Sequence, residues 1–292
     1  MAVTKAHTNG VDLAYETFGG PADPPMLLVM GLNTQMIGWP EPFCRDLANR
    51  GFYVIRFDNR DIGLSTHLDG VPTPSIYKVA LRLAKPPYTI EDMAADTVGL
   101  LDALGLDRVH LVGASMGGFI SQTVALNHPE RIASLTLIMT STGSWRVGQA
   151  TRQILGMVLR GKPPSSREEA IDGTVAMFEF IGGEGFEFDE ALVRQYAEMS
   201  YDRGYDPAGT ARQFLAVVSQ RNRTNDLKKL TAPTLVIHGL HDPMVGASGG
   251  IALARAIPGA RFVGFHGMGH GLPQQLWPQL VDEIVAITKA AG

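Results

Sequence analysis

Gly113-Ala114-Ser115-Met116-Gly117 places a serine between two glycines, directly after the apolar run Val109 to Val112 and directly before a helical pattern. A serine hydroxyl is a weak nucleophile until a neighbouring base takes its proton. A tight strand-to-helix turn can present such a serine, and glycine two residues to either side suits a turn whose backbone leaves no room for a Cβ. In a chain with 33 glycines the string alone is weak evidence, and an ordinary glycine-rich turn is the alternative. The succession of strand, turn and helix makes it more specific. The chemistry would be nucleophilic acyl transfer, which also needs a histidine base and a carboxylate to orient it.

Both should follow the serine, acid first and histidine second. Of the eight histidines, His7 and His67 precede the serine, His110 lies in the strand leading to it and His128 ends the helix after it. His238, His241, His266 and His270 remain. Thr234 to Ile237 is an apolar strand pattern followed by His238-Gly239-Leu240-His241-Asp242-Pro243. Ligand-handling groups gather at the C-terminal ends of strands in open α/β sheets, which selects Asp242 as the acid. The next strand pattern, Phe262 to Phe265, leads into His266-Gly267-Met268-Gly269-His270-Gly271. His270, deeper in that loop and flanked by Gly269 and Gly271, is preferred over His266 as the base. His238, His241 and His266 are read as packing or hydrogen-bonding residues. Histidine pairs 238/241 and 266/270 have ligand-like spacings, but the glycines argue against a helix that would put the second pair on one face. No metal site and no cofactor are expected.

A tetrahedral acyl intermediate needs donors aimed at its oxyanion. The N–H of Met116, next to the serine, is one candidate. The other is the N–H of Leu32, in the Gly31-Leu32-Asn33 loop after the run Met26 to Met30. Gly31, Gly113 and Gly117 would support these loops, and Asn33 would stabilise its turn or add a side-chain donor.

The elements that must hold these residues follow from periodicity. Val3 to His7 and Val11 to Tyr15 flank Asn9-Gly10, a hairpin signal. Continuous apolar runs at Met26 to Met30, Tyr53 to Phe57, Val109 to Val112, Leu135 to Met139, Thr234 to Ile237 and Phe262 to Phe265 suit strands buried on both faces. Helical patterns alternate with them: one from Thr89, whose T-x-x-D spacing to Asp92 is an N-terminal signal, another from Phe119 to Asn127, and a last one from Leu276 to Lys289. The fold class is an α/β doubly wound sheet. From Ser141 to Asp226 no buried strand appears, only helical stretches parted by Lys162-Pro163-Pro164, Gly182-Gly183 and Asp206-Pro207. So long a segment without structure is improbable inside a domain. The expected organisation is a core of residues 1–140 and 227–292 with a helical cap at 141–226. Proline-rich Asp69 to Tyr88 is a second break, with a short helix expected at Ile76 to Ala84.

Composition excludes other classes. Lys and Arg total 25 against 29 Asp and Glu, a net charge of −4 in 292 residues, which disfavours nucleic-acid or anionic-membrane partners. One cysteine, Cys44, forms neither an internal disulfide nor a thiolate zinc site, and reads as a small buried apolar residue. No apolar run is long enough to span a bilayer, and Met1 to Gly20 lacks the apolar core of a signal peptide. A cytoplasmic protein acting on small molecules is expected.

Taken together, these residues resemble the α/β-hydrolase superfamily along nearly the whole chain. The hairpin, the glycine loop after the third strand, Asp58 to Ser65 after the fourth, the serine turn after the fifth, a helical cap after the sixth, the acid after the seventh and the histidine after the eighth all fall in that family's order. Met30-Gly31 followed by Gly38-Trp39-Pro40, the Arg60-Asp61 pair and Met268-Gly269-His270-Gly271-Leu272-Pro273 are similar to the branch of bacterial carboxylesterases and lipases containing aclacinomycin methylesterase. The resemblance implies an eight-stranded, mostly parallel sheet and hydrolysis of a carboxylic ester by Ser115, His270 and Asp242. Perhydrolysis or cofactor-free haloperoxidase chemistry, thioester hydrolysis and C–C bond hydrolysis would use the same triad. A serine at position 115 argues against haloalkane dehalogenase and epoxide hydrolase chemistry. The chain departs from many relatives with Met30-Gly31 in place of His-Gly and Arg60-Asp61 in place of Arg-Gly, and Arg60 is read as a loop brace. Aromatic and methionine residues of the cap, among them Trp145, Met157, Phe178, Tyr196 and Tyr201, would in part line an apolar ester pocket and in part pack the cap itself.

Overall fold

Asn9 and Gly10 both take left-handed backbone conformations, with φ of 45° and 78°, and turn β1 (Thr4–Thr8) into β2 (Val11–Phe18). Such a turn matches the twist of the strands it joins. The computed structural model describes residues 4–160 and 164–291; Val3 of the expected first strand lies outside them. Six further strands follow: β3 (Pro25–Val29), β4 (Tyr53–Phe57), β5 (Val109–Ala114), β6 (Ile132–Ile138), β7 (Thr234–Gly239) and β8 (Arg261–Phe265). They form one sheet in the order β1-β2-β4-β3-β5-β6-β7-β8. The pairings β1/β2 and β2/β4 are antiparallel and all others parallel.

The helices are α1 (Glu41–Asn49), α2 (Ile76–Ala80), α3 (Ile90–Ala103), α4 (Met116–Asn127), α5 (Arg152–Arg160), α6 (Arg167–Gly182), α7 (Glu190–Arg203), α8 (Pro207–Ser219), α9 (Ser248–Ala256) and α10 (Trp277–Thr288). Five of the continuous apolar runs, β3 to β7, are strands covered on both sides; the sixth, β8, is the edge strand and is only partly buried, with Gly264 exposed. In β3, Leu27 and Val29 face a core that includes Leu100 and Leu101 of α3, Ile120 and Val124 of α4 and Leu253 of α9. Met26 and Leu28 face the opposite core, with Phe43 and Leu47 of α1 and Leu280 and Ile284 of α10. Cys44 is fully buried in that second core, and desolvation pushes its thiol pKa up to about 12. It behaves as the apolar residue its isolation suggested.

Thr89 and Asp92 close the capping box expected of them, each accepting from the other's backbone N–H, and Gly105 ends α3 with φ of 66°. The expected helix at Ile76 to Ala84 stops instead at Ala80. Arg82 takes a left-handed φ of 58°, and Leu81 and Leu83 are exposed, so no apolar face holds a further turn.

Between β6 and β7 the described residues contain α5 to α8 and no strand. The Lys162-Pro163 part of one expected break lies outside the described residues. The two ends of the segment meet: Arg223 N–H donates to the Thr142 carbonyl at 2.8 Å and Thr224 Oγ1 donates to Thr142 Oγ1 at 2.9 Å. Ile171 and Val175 of α6 and Ala197 of α7 form a small core of their own, with Phe188 and Val193 against it. No helix among the described residues is long and apolar enough to cross a membrane.

Candidate active site

Ser115 sits between β5 and α4 with φ of 54° and ψ of −118°, a strained conformation for a residue with a Cβ. Its N–H donates to the Ile138 carbonyl of β6 at 2.9 Å, and its own carbonyl accepts from Gly118 N–H at 2.9 Å, so the turn is clamped on both sides. Gly117 is required here because a Cβ would strike the Val29 carbonyl, and one on Gly31 would lie 3.0 Å from Ser115 Cβ. The loop after β3 therefore passes directly over the serine.

Two more strand ends converge on this point. His270 Nε2 lies 3.0 Å from Ser115 Oγ, and His270 Nδ1 lies 2.7 Å from Asp242 Oδ2. A carboxylate oxygen facing Nδ1 favours the tautomer with the proton there, which leaves Nε2 to accept from the serine hydroxyl. The Asp242 side chain is fully buried and His270 is 9% exposed. The other carboxylate oxygen, Oδ1, accepts from Met244 and Val245 N–H groups, both at 2.8 Å, so three donors hold the acid in place. The loops themselves are tied together, His241 N–H donating to the Met268 carbonyl at 3.0 Å and Leu240 N–H to Phe265 at 3.0 Å.

Met116 directly follows Ser115, and Leu32 directly follows Gly31, whose would-be Cβ lies 3.0 Å from Ser115 Cβ; among the described residues neither N–H donates a hydrogen bond to a protein group. Asn33 takes a left-handed φ of 55°. Its N–H donates to Gln213 Oε1 at 3.1 Å, and its Oδ1 accepts from Thr210 Oγ1 at 2.6 Å. Met30 packs in the core, and its carbonyl accepts from Asn59 Nδ2 at 3.0 Å.

The remaining histidines have other places. His241 and His266 meet edge to face with ring centroids 4.6 Å apart. His238 is completely buried and donates from Nε2 to the Val245 carbonyl at 2.7 Å. Burial holds its pKa below the ordinary value, which keeps a neutral ring beneath the acid loop; its Nδ1 has no protein partner.

A second polar cluster escaped the sequence reading. Asp58 accepts from Met36 N–H at 2.6 Å and from Arg203 Nη2 at 2.6 Å, and Asp61 is gripped by both Arg212 Nε and Nη2 at 2.8 Å. His67 Nδ1 lies 2.7 Å from Asp206 Oδ2. Arg60 pairs instead with Asp96 of α3, a loop brace as expected. Asp61, His67 and Asp206 lie close enough together to resemble a metal-ligand set, but the Arg212 guanidinium already pairs with both carboxylates. Only the Asp58 to Ser65 motif hinted at this cluster, because its cationic partners lie far away in sequence on α7 and α8. The cap side chains divide: Trp145, Met157 and Met199 are exposed, Phe178 meets Tyr196 at a tilt of 56° while Tyr201 stacks on Tyr205, and Phe186 packs against the second core.

A mostly parallel sheet whose strand ends deliver a serine on a strained turn, a buried acid and a histidine defines a class of doubly wound α/β proteins. The chain belongs to the α/β-hydrolase fold family, which matches it over residues 24–273. It is 32% identical to rhodomycin D methylesterase of Streptomyces sp. strain C5, covering 96% of both chains. It is 31% identical to the rhodomycin D methylesterase of Streptomyces peucetius, covering 99% of both. The solved structure of a meta-cleavage product hydrolase from Pseudomonas fluorescens IP01 superposes with a TM-score of 0.76 at 20% identity, over 99% of this chain and 98% of that one. At that identity the likeness concerns the fold alone.

Proposed function

We propose that this protein is a serine carboxylesterase in which Ser115 is the nucleophile, His270 the general base and acid, and Asp242 the residue that orients His270. The observation that carries the reading is the continuous relay from Ser115 Oγ to His270 Nε2 at 3.0 Å and from His270 Nδ1 to Asp242 at 2.7 Å. Its serine is held at positive φ. The similarity to two rhodomycin D methylesterases over nearly the full chain supports an ester as substrate, and a methyl ester in particular.

In the first half-reaction Ser115 Oγ forms a bond to the ester carbonyl carbon while its proton passes to His270 Nε2, and Asp242 stabilises the imidazolium. The Leu32 and Met116 N–H groups donate to the oxyanion; one such donor contributes about 10²- to 10³-fold in rate. Collapse breaks the C–O bond, and the leaving alcohol takes the proton from His270. Water then attacks the acyl group with His270 as base, and the carboxylic acid departs as Ser115 regains its proton. These residues complete the cycle without a cofactor. Residues 141–226 act as a cap over the site in this reading.

Ser115→Ala is expected to abolish p-nitrophenyl ester turnover with the fold intact, and a fluorophosphonate probe is expected to label wild type at Ser115 only. Full activity of the variant would overturn the assignment. A substrate panel of methyl and bulkier esters, thioesters and a peracid readout sets the reaction subclass: faster turnover of thioesters, or peracid formation, would displace ester hydrolysis.

A further inference from the structure

Gln213 reaches from α8 into the loops around Ser115 and is completely buried. Its amide is used at both ends. Oε1 accepts the Asn33 N–H at 3.1 Å, and Nε2 donates to the Arg60 carbonyl at 2.8 Å. Neighbouring side chains of the same helix hold the same two loops: Thr210 donates to Asn33 Oδ1 at 2.6 Å, and Arg212 grips Asp61. Asn33 follows Leu32 directly and is itself in the left-handed region, φ 55°, which asparagine tolerates better than other residues with a Cβ.

We infer that Gln213 is a positioning residue for the oxyanion-binding loop, so that the loop is set by a helix of the segment between β6 and β7 and not by the sheet alone. The inference rests on the serine esterase reading. The Gln213 acceptor fixes the peptide joining Leu32 to Asn33, and with it the backbone that aims the Leu32 N–H at the developing oxyanion. Without that acceptor the Asn33 N–H loses its protein partner, and only the Thr210 hydroxyl on the Asn33 side chain still ties the turn to α8. The adjacent peptide is then free to rotate, and the transition state loses a preorganised donor. The Michaelis complex, which carries no full charge on that oxygen, loses little. The loss therefore falls on kcat rather than KM.

Two variants separate positioning from packing. Gln213→Met has similar length and removes both hydrogen bonds, whereas Gln213→Glu keeps the acceptor for Asn33 and removes the donor to Arg60. With p-nitrophenyl esters, Gln213→Met is expected to lower kcat by about 10- to 100-fold with KM within about threefold. Affinity for an alkyl boronic acid, whose Ser115 adduct places an oxygen in the hole, should fall in proportion. Gln213→Glu is expected to retain most of both. If Gln213→Met does not purify folded, Gln213→Asn, the same amide one methylene shorter, is read in its place against the same outcomes. Wild-type kcat and boronate affinity in Gln213→Met, or equal losses in the Met and Glu variants, would overturn the inference. An active Ser115→Ala would instead overturn the esterase reading itself, so the two failures are distinguishable.

Discussion

The backbone N–H of His270 donates to the carbonyl of Ile181 at 2.6 Å, joining the loop after β8 to the last turn of α6. Gly269 N–H donates to the Gly182 carbonyl at 2.8 Å, and Gly185 N–H donates to Gly267 at 3.0 Å. Orphan carbonyls at a helix C-terminus need donors, and here the histidine loop supplies two. His270 is thus held twice, its side chain by Asp242 and its backbone by α6. The loop after β3 is held likewise, α8 fixing Asn33 through Gln213. The segment between β6 and β7 is built into the loops that surround Ser115, not simply laid over them.

This junction leaves no room at Gly269. A Cβ there would collide with the Ile181 carbonyl oxygen and approach Gly182 C and Gly183 N to 2.7 Å, all backbone atoms that cannot move alone. Gly271 has nothing within 4 Å of its would-be Cβ. Gly269→Ala is expected to push the loop off α6 and lower ester turnover by about tenfold or more, since small displacements of a reacting group are costly. Gly271→Ala is expected to match wild type within a factor of about two. Steady-state kinetics and thermal melts of the two variants check this, and equal activity would show that the α6 contact does not place His270.

The His67–Asp206 contact gives stability a pH signature. Burial opposes a charge on His67, but the Gly63 carbonyl and the Asp206 carboxylate outweigh it and raise the pKa above the ordinary 6.5. Its stabilisation is therefore complete below about pH 6.5 and is lost as pH rises through the raised folded-state value. Burial likewise opposes ionisation of Asp206, yet the Gly209 N–H and His67 prevail and lower its pKa from 3.8. That contribution disappears only in acid. The melting temperature of wild type minus that of His67→Gln is expected to be largest near pH 5.5, corresponding to about 1 kcal/mol, and to shrink towards pH 9. A difference independent of pH would remove the charged pair from the account.

The parts legible in the sequence are those with local signatures. Ser115 announces itself through Gly113 and Gly117, Asp242 and His270 through loops that follow apolar runs, and α3 through Thr89 and Asp92. Six of the eight strands were readable as uninterrupted apolar runs, as expected of strands covered on both faces, and the first two through the Asn9-Gly10 hairpin signal. Gln213 and Arg212 carry no such mark: each is one polar residue on a helix, and its partners, Asn33, Arg60 and Asp61, lie more than a hundred residues earlier. Position in sequence does not say which arginine meets which aspartate. Trp145 reads from its type as either a pocket residue or a packing residue of the cap, yet it is 77% exposed, because side-chain hydrophobicity does not report which face of a segment meets the core.

Arg212 and Asp61 test how firmly α8 is docked. Both side chains are nearly or fully buried, and two parallel hydrogen bonds of 2.8 Å join them. Removing one partner of a buried ion pair strands the other charge and costs about 3–5 kcal/mol, whereas replacing both is far milder. Arg212→Met is therefore expected to lower the unfolding free energy by about 3 kcal/mol. Asp61→Asn should lower it by a similar or smaller amount, because Leu68 N–H still donates to its Oδ1 at 2.7 Å. The double variant is expected to be more stable than the sum of the two losses predicts, by at least about 1 kcal/mol, the coupling seen for residues in direct contact. Urea denaturation of the four proteins measures it. Strict additivity would mean that the pair does not bind α8 to the loop after β4, and that Thr210 and Gln213 hold the helix without it.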